Sequence, residues 1–496
     1  MLYPSIYCQL SKQLSKFVLL VLLGCHPVSE LAVAQTNGIT NFSGTGEQIT
    51  KFSTLGDAID AHDGEIAYFK GIYYLYGTSY GCGFEWGHKN SPFCGFKAYS
   101  SSDLVNWEDR GQLFDASTVV WQTRCNGSTY GCFRPHVIYN KKTSRYVLWI
   151  NVYDNRVGYR VFTSKSPVGP FIEVAEPSLA VNNDAPVAGL NNGDHDTFVD
   201  DDGTAYLAYT DWRANGAIAV EQLSDDYLTG TGKVVKSITA TRTEAPALFK
   251  RNGVYYLVYS DPNCGYCSGT GASYRTAKWP LGPWSDGTKI SDSSCGGQPS
   301  FVSSIKLKTG EVFLFGSDLW NNGAKNESLA NYYWAPLTFA PDGSINRISC
   351  QNTITSIPAR TNKTKGAGAI DELTAIGDIN SGHQQTQTFK PGERGVLASL
   401  IISCFKSAYP NDDLIIEVSK VGSVNTLSSI RVPSDSVSWS PKNIVIHPDI
   451  PIQAESIYSI RISSNSTKGT YGLEYYPAKQ GITGRPFLFQ TMIISK

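Results

Sequence analysis

Three acidic residues stand at or just before predicted β-strands, where a side chain can reach the rim of a sheet. Glu244 opens EAPALFKRNGVYYL, Asp63 lies in DAHDGEIAYF and Asp194 lies in NNGDHDTFVDDDG. Hydrolysis of a glycosidic bond needs a protonated carboxyl and an ionised carboxylate, roughly 6.5–9.5 Å apart when the second works through water. Apolar neighbours favour a raised pKa for Glu244, so we expect Glu244 to be the general acid and Asp63 the general base. Asp194 would position Glu244 and keep it protonated by like-charge repulsion.

Two of these acids also have a purely structural interpretation. Asp63 could cap the turn before Gly64, and Asp194 could do the same within its Gly- and Asp-rich loop. The acids of VDDDG at 199–203 are expected to form only a hairpin turn. The catalytic interpretation therefore requires a fold that brings the three carboxylates together.

A unit of short strand, polar turn and aromatic-rich strand recurs along the chain and predicts an all-β fold. It begins near Gly64 and again at Pro135, Asp196, Pro246 and Pro299. Recurrence at roughly 50 to 70 residues, with about four strands per unit, is typical of a β-propeller. A Greek-key sandwich is the alternative, but it would not repeat the signature five times. We therefore predict a five-bladed β-propeller.

A propeller would place one end of each unit at a common centre, because the first strand of every blade lines the central channel. The residues at or before these strands are Asp63, His136, Asp194, Glu244 and Gln298. Carboxylates, an imidazole and an amide are costly to gather in one funnel unless they are used.

The domain boundaries follow from composition. Residues 1–34 read as a signal peptide, 35–351 as the propeller, 352–371 as a Thr-, Lys- and Gly-rich linker, and 372–496 as a C-terminal β-sandwich. The sandwich could bind carbohydrate or could simply pack against the propeller. The leader has Lys12 and Lys16 before an apolar run at 17–24 that is too short to span a bilayer, although an uncleaved anchor is the alternative.

Charge and cysteine usage agree with a secreted protein. The net charge of -1, from 42 basic and 43 acidic residues, favours no nucleic-acid partner, and no membrane contact is expected after signal cleavage. Nine cysteines follow the leader, and the pairs Cys82–Cys94 and Cys125–Cys132 are plausible disulfides. Cys264 and Cys267 could be half of a zinc site, but no second pair follows. An odd count leaves one thiol free, for which Cys404 is the candidate, and sequons at Asn41, Asn126, Asn326, Asn362 and Asn465 suit the same route.

The order of these motifs resembles glycoside hydrolase family 43 over residues 55 to about 350. The strongest likeness lies in EAPALFKRNGVYYL, beside HDGEIAYFKGIYYLYG, RPHVIYNKKTSRYVLWIN and DHDTFVDDDGTAYLAYTD. The resemblance implies a five-bladed propeller fold and an enzyme that inverts the configuration at the anomeric carbon. It also implies that Glu244 is the general acid, Asp194 the pKa-tuning aspartate and Asp63 the general base.

Within that family the chain is most similar to the galactan 1,3-β-galactosidase group. The group's motifs are matched by Arg134 and by the set Gln298, Asp318 and Trp320, which the resemblance implies to be substrate-binding. His136 occupies the position of a lysine in that group, and Phe133 that of a glutamate. In the group a glutamine matching Gln298 replaces the base aspartate, whereas this chain has both Gln298 and Asp63.

Other loop aromatics could stack on a sugar face, and we select Trp86 and Tyr266 beside Trp320. We predict a secreted, extracellular and monomeric glycosidase that acts on a polysaccharide or oligosaccharide of the β-1,3-galactan or arabinogalactan type. We expect no cofactor and no metal. The alternatives are an α-L-arabinofuranosidase or β-xylosidase of the same family, a carbohydrate-binding propeller without catalysis, and a cell-wall adhesin that uses its sandwich.

Overall fold

The computed structural model describes residues 38–350, apart from 87, 130, 175, 184–190, 262, 263, 308, 309 and 322–325, and residues 372–495, apart from 478–484. The predicted signal peptide and linker therefore lie outside the described residues. No helix in these ranges is both long enough and apolar enough to cross a bilayer.

Residues 62–336 form five antiparallel sheets, in each of which strands pair in chain order. Sheet 1 contains β1 (His62–Phe69), β2 (Ile72–Thr78), β3 (Phe96–Ser101) and β4 (Glu108–Gln112). Sheet 2 contains β5 (Phe133–Asn140), β6 (Arg145–Asn151), β7 (Tyr159–Ser164) and β8 (Ile172–Glu173). Sheet 3 contains β9 (Asn192–Val199), β10 (Ala205–Asp211), β11 (Ala217–Leu223) and β12 (Gly230–Val235). Sheet 4 contains β13 (Glu244–Arg251), β14 (Val254–Ser260), β15 (Ala272–Ala277) and β16 (Thr288–Ser291), and sheet 5 contains β17 (Gln298–Leu307), β18 (Gly310–Leu319) and β19 (Asn331–Pro336). A short helix, α1 (Val119–Cys125), connects sheets 1 and 2.

The first strands of these sheets follow one another around a common centre. β1 contacts β5 and β17, β9 contacts β5 and β13, and β13 contacts β17. Neighbouring sheets share buried apolar clusters, and the cluster between sheets 5 and 1 includes Leu75, Trp107, Leu314 and Trp334. The all-β prediction is confirmed, and every predicted unit coincides with the first two strands of one sheet. Burial on both faces explains why these strands are aromatic and aliphatic almost throughout.

Residues 372–495 form two further sheets that share one core. Sheet 6 contains β20 (Thr374–Ile379), β22 (Gly395–Ser407), β25 (Lys442–Ile446), β26 (Ile450–Ile452), β28 (Thr470–Tyr475) and β29 (Phe489–Ser495). Sheet 7 contains β21 (Gln385–Phe389), β23 (Leu414–Lys420), β24 (Thr426–Val432) and β27 (Tyr458–Ser463). Alternate residues of both sheets, among them Leu400, Ile416 and Ile460, are buried between the layers. This packing fits the predicted sandwich, whose boundaries stay a prediction.

The C-terminal layers are joined to the first part of the chain through Trp439. The backbone N–H of Trp439 donates to the carbonyl of Gly81 at 3.0 Å, and the Asn326 amide donates to the Trp439 carbonyl at 2.9 Å. The indole presses on Gly83, where a Cβ would lie 2.7 Å from the indole nitrogen, so a side chain at this position would clash. The C-terminal part therefore holds the loop after β2 in place.

The cysteine predictions are mostly confirmed. Disulfides join Cys82 to Cys94 and Cys125 to Cys132, and Cys404 is free and buried. Cys264 and Cys267 form a disulfide with each other, so they are not half of a zinc site. A further disulfide, Cys295–Cys350, spans 55 residues and was not predicted because its partners are distant in sequence.

Two of the five sequons do not suit glycosylation. Asn41 and Asn326 are 4% and 1% exposed, and their amides donate to backbone carbonyls of Trp334 and Trp439. A glycan on either side-chain nitrogen would have to displace this packing. The expectation that Asn41 and Asn326 suit glycosylation is therefore corrected. Asn465 is exposed, and Asn362 lies outside the described residues.

A buried carboxyl at the junction makes stability depend on pH. Glu474 of β28 is fully buried, and its single side-chain donor is the hydroxyl of Thr50, at 3.1 Å. Burial raises its pKa to about 8, against the lowering effect of Thr50. A carboxyl whose pKa is higher in the folded state binds more protons there than in the unfolded state. Its contribution to the free energy of unfolding is therefore lost as the pH rises from the ordinary pKa of a glutamate to about 8.

We expect Glu474→Gln to remove this penalty, because an amide stays neutral at every pH. The free energy of unfolding of the parent protein should fall between pH 5 and pH 9, and the variant should lose less by roughly 2–4 kcal/mol. Urea unfolding at several pH values measures this difference. Asp286→Asn, at an exposed carboxyl, is the control. Parallel pH profiles for the parent and Glu474→Gln would contradict the expectation.

Candidate active site

The candidate site lies where the first strands of the five sheets begin, and β-bulges shape it. The register shifts between His62 and Glu65 in β1, between Phe133 and His136 in β5, and between Glu244 and Ala247 in β13. Within these bulges Asp63, Arg134 and Ala245 have positive φ values of 54°, 56° and 52°. Such a conformation is costly for a residue with a side chain and is typically kept where it aims a functional group.

Arg134 connects several strand starts from a buried position. It is 2% exposed, and its guanidinium lies 2.9 Å from the Asp194 carboxylate and donates to Gln298 Oε1 at 3.3 Å and to the Pro299 carbonyl at 3.3 Å. Its backbone N–H donates to Asp63 Oδ1 at 3.0 Å. Burial acts to lower its pKa, but the Asp194 and Asp63 carboxylates outweigh this effect and raise it. The residue predicted to bind substrate is thus already engaged with the predicted catalytic residues.

Glu244 has few polar partners, as its apolar neighbours suggested. Its Oε2 accepts a hydrogen bond from Gln298 Nε2 at 2.9 Å. Burial, and then the nearby Asp194 carboxylate, raise its pKa to about 7, while Arg134 and the Gln298 hydrogen bond act in the opposite direction. At neutral pH a substantial fraction of Glu244 is therefore protonated, which is the state required of a proton donor.

Asp63 accepts more hydrogen bonds from protein groups than Glu244 does. Its carboxylate accepts hydrogen bonds from Thr78 Oγ1 at 2.7 Å and from the Tyr80 hydroxyl at 2.6 Å, in addition to the Arg134 N–H. Burial raises its pKa to about 6, while Arg134, Tyr80 and Thr78 hold it down. The pKa of Asp63 is thus lower than that of Glu244, which is the order that a general base and a general acid require.

Aromatic rings border this cluster. Trp320 is 6% exposed and packs its ring against Tyr80 and Tyr266, whose centroids lie 6.0 and 5.9 Å away. Tyr266 is 38% exposed and sits in the loop closed by the Cys264–Cys267 disulfide. Burial, followed by the carboxylates of Glu327, Asp63, Glu244 and Asp194, raises the pKa of Tyr266. Trp86, 57% exposed, donates its backbone N–H to Glu327 at 2.9 Å.

Two residues predicted to contact substrate are placed behind the site. Asp318 is 2% exposed and accepts the backbone N–H of Asp63 at 3.0 Å, so it supports the bulge that carries Asp63. His136 is fully buried, with Nδ1 3.1 Å from Asp196 Oδ1 and 3.7 Å from Glu65 Oε2. Both side chains thus contact residues that carry the candidate site, and their predicted contact with substrate stays a prediction.

His136 belongs to a second polar cluster two residues further along the same strands. Glu65, His136 and Asp196 each place one ligand-type atom within 4.8 Å of the others, so among the described residues they are the group that could hold a cation. The backbone N–H groups of Val137 and Leu248 donate to Glu65 and Asp196. Although burial lowers it, the pKa of His136 is raised to about 9 by Glu65 and Asp196. In its protonated form the imidazole pairs with both carboxylates, and a cation bound by His136 would have to displace that proton.

The sequence analysis missed Tyr80 and Glu327. Tyr80 lies two residues after β2, which pairs with the β1 strand that carries Asp63, so this pairing could have indicated it. Glu327 is 5% exposed, and burial raises its pKa to about 7 despite the Trp86 N–H bond. Glu327 begins a short 3-10 helix, Glu327–Leu329, outside the repeated strand units, so the repeat pattern did not indicate it.

The chain is similar to known proteins over this region. Residues 57–299 match the sequence profile of glycosyl hydrolases family 43. A β-D-galactofuranosidase of Aspergillus niger is 28% identical over 235 residues, which are 46% of this chain and 64% of that protein. An exo-β-1,3-galactanase from Clostridium thermocellum superposes with a TM-score of 0.52 at 26% identity, over 68% of this chain and 73% of that one. A family 43 β-1,3-galactosidase solved with galactodeoxynojirimycin gives a TM-score of 0.50 at 25% identity, over 61% and 98% of the two chains.

The match to curated relatives is partial. This chain spans between 32% and 64% of the length of those it matches, which also include arabinoxylan arabinofuranohydrolases.

We expect Arg134→Leu to destabilise the protein, because it leaves the Asp194 and Asp63 carboxylates without their shared cation. Loss of one partner from a buried charge network costs about 3–5 kcal/mol. The midpoint of thermal unfolding measures this loss, and Arg134→Lys should restore part of it by keeping the charge. Arg110→Leu, which breaks an exposed ion pair with Glu108, should cost under about 1 kcal/mol. Equal effects at Arg134 and Arg110 would contradict the central role of Arg134.

Proposed function

Because residues 57–299 match the family model of glycosyl hydrolases family 43, we propose that the chain is an inverting glycoside hydrolase acting on a plant-type polysaccharide. The observation that carries the proposal is the pair Glu244 and Asp63, which share one hydrogen-bonded network but have pKa values raised to about 7 and about 6. The network runs from Asp63 through Arg134 and Gln298 to Glu244.

In the proposed reaction, protonated Glu244 donates its proton to the glycosidic oxygen as the bond to the anomeric carbon breaks. Ionised Asp63 accepts a proton from the water that attacks the opposite face of the same carbon, so configuration inverts. The products leave Glu244 ionised and Asp63 protonated, and exchange with solvent resets both. Asp194 favours the protonated form of Glu244 before the reaction, and Arg134 stabilises the ionised form that follows.

Gln298 is an alternative partner for the water, since the similar galactan 1,3-β-galactosidase group is thought to use a glutamine at this position. Both ends of its amide are engaged here, with Oε1 accepting from Arg134 and Nε2 donating to Glu244. Asp63 has the carboxylate that can accept a proton, and we assign the base to it.

The proposed architecture is a five-bladed β-propeller, with each of the five sheets as a blade, followed by the β-sandwich. The cyclic order of contacts among the first strands supports this arrangement. Four disulfides among the described residues support folding in an oxidising compartment, and hence secretion by a signal peptide at 1–34. We propose a monomer.

For the substrate we propose β-1,3-galactan or an arabinogalactan-type chain. The names of the two structural relatives, a galactanase and a galactosidase, support galactose. An α-L-arabinofuranosidase or β-xylosidase is the second candidate, which the arabinofuranohydrolases among the relatives favour. Phe133 also favours it, because this side chain packs edge-on against Phe84 where the galactosidase group has a glutamate. Nitrophenyl glycosides of galactose, arabinofuranose and xylose, tested beside β-1,3-galactan, distinguish these substrates.

We expect Glu244→Gln to lower kcat on polysaccharide by about 10²–10⁴-fold while substrate binding remains, because the amide cannot donate a proton to the leaving oxygen. Asp63→Asn should give a loss of similar size. Steady-state kinetics and equilibrium binding measure the two effects, with Glu311→Gln at an exposed position as the matched control. A wild-type protein that binds but never hydrolyses would identify a carbohydrate-binding module. If Asp63→Asn stayed active while Gln298→Ala was inactive, the activation of the attacking water would be assigned to Gln298 instead of Asp63.

We expect a bell-shaped dependence of kcat/KM on pH, with its maximum between about 6 and about 7. Activity should fall below this window as Asp63 becomes protonated and above it as Glu244 ionises. Tyr80→Phe removes a donor that lowers the pKa of Asp63, so the acid limb should move to higher pH while the basic limb stays. The phenyl ring keeps the packing on Trp320. An unshifted acid limb in this variant would contradict the assignment of the base.

A further inference from the structure

A groove on the outside of sheet 4 lies at the end of β13 opposite to Glu244. It has a volume of about 820 Å³ and is bordered by the Arg251–Asn252 turn, the loop 278–285 and the loop 341–344. β13 runs from Glu244 to Arg251, so the groove lies roughly 23 Å from the candidate active site along the strand. It therefore forms no part of the site described above.

The walls of the groove are held by hydrogen bonds in the protein itself. The hydroxyl of Tyr256 donates to the Gly343 carbonyl at 2.8 Å, and the hydroxyl of Tyr274 accepts the Ile345 N–H at 3.1 Å. On the other side the Arg275 guanidinium donates to the Ser285 carbonyl at 2.6 Å. Both loops are thus fixed to the sheet, and the groove is preformed.

An exposed tryptophan stands on one wall. Trp279 is 68% exposed, the largest exposure of any tryptophan in the described residues. Nothing in the loop requires an indole, because the chain builds the same loop twice. TSKSPVGPF at 163–171 in sheet 2 matches TAKWPLGPW at 276–284 in sheet 4, with Ser166 in the place of Trp279. In both loops the glycine N–H closes the same turn, from Gly169 to the Ser166 carbonyl and from Gly282 to the Trp279 carbonyl.

The two loops differ in what covers them. In sheet 2 the Pro167 carbonyl accepts the Tyr76 hydroxyl at 2.7 Å, and the Phe171 N–H donates to Leu113 at 2.8 Å, so neighbouring segments pack on this loop. In sheet 4 Pro280, which matches Pro167, is buried, whereas Trp279, Pro283 and Trp284 border the open groove. The tryptophan occurs on the side of the loop that faces the groove, which favours a role in binding over a role in packing.

We propose that this groove is a second binding site for a neutral glycan chain. An exposed indole offers a flat apolar face for a sugar ring, and the same walls carry hydroxyl and amide groups from Asn252, Thr276 and Ser344 for the ring's hydroxyls. The rim carries charges of both signs, from Arg251, Lys278 and Asp342, and a neutral glycan is the ligand that we propose. This site would hold one segment of a polymer while another segment occupies the active site.

Affinity electrophoresis of the full-length Glu244→Gln protein tests the proposal without turnover. Gels contain soluble arabinogalactan, arabinoxylan or, as an anionic comparison, polygalacturonate. We expect Trp279→Ser, added to Glu244→Gln, to weaken the retardation by a neutral glycan about three- to tenfold, because it removes one stacking face. The substitution copies the loop of sheet 2, so the fold should be retained, and thermal unfolding checks this.

Leu55→Ser is the matched control, because Leu55 is 74% exposed and lies away from the groove. It should leave retardation unchanged. Equal retardation of the Glu244→Gln protein with and without Trp279→Ser would overturn the proposal, as would retardation by polygalacturonate alone. A dimer in sedimentation that Trp279→Ser dissociates would also overturn it, since a second copy of the chain would then be the occupant. Only binding is measured, so a failure of the proposed hydrolysis would not be mistaken for a failure at this groove.

Discussion

One buried cation shared among three acids is the interaction on which the candidate site depends. Arg134 contacts Asp194 through its guanidinium and Asp63 through its backbone, and it reaches Glu244 through Gln298. A single positive charge in a poorly hydrated site cannot offset three carboxylates, so ionisation is disfavoured most for the acid that the cation does not contact. That acid is Glu244, whose pKa of about 7 lies above the pKa of about 6 of Asp63. The proposed division between general acid and general base would thus follow from where one guanidinium lies.

The same strands repeat this arrangement one step deeper. Asp63, Arg134 and Asp194 are followed two residues later by Glu65, His136 and Asp196, and these three residues lie together. A third group lies beside them, where Asp318 and Asp60, against the effect of burial, raise the pKa of His62 to about 9. Each cation in the centre is bordered by carboxylates. Such networks rarely add net stability, but they hold side chains in fixed positions.

The sequence predicted what depends on periodicity. The repeat placed Asp63, Asp194, Glu244 and Gln298 at strand starts, and the hydrogen bonds join all four. It did not predict that His136 is buried, because one step along a bulged strand moves a side chain from the rim to the interior. Glu327 was missed because its position depends on loop packing that no local pattern encodes, whereas Tyr80 follows a strand whose pairing with β1 could have indicated it. The disulfides do not divide by distance alone, since the pairs separated by 12 and 7 residues were predicted, whereas the pair separated by 55 residues and the Cys264–Cys267 pair, separated by 3, were not.

The contact between Trp439 and the loop after β2 changes how the C-terminal part should be regarded. Gly81, which the Trp439 N–H holds by its carbonyl, adjoins Tyr80, the donor to Asp63. Asn326, which reaches across to the Trp439 carbonyl, adjoins Glu327. The two parts are therefore not independent domains that recombination could exchange freely. A glycine at position 83 and a tryptophan at position 439 must be inherited together, and a foreign C-terminal module grafted onto residues 38–350 would need the same protruding indole to keep the proton-handling groups aligned.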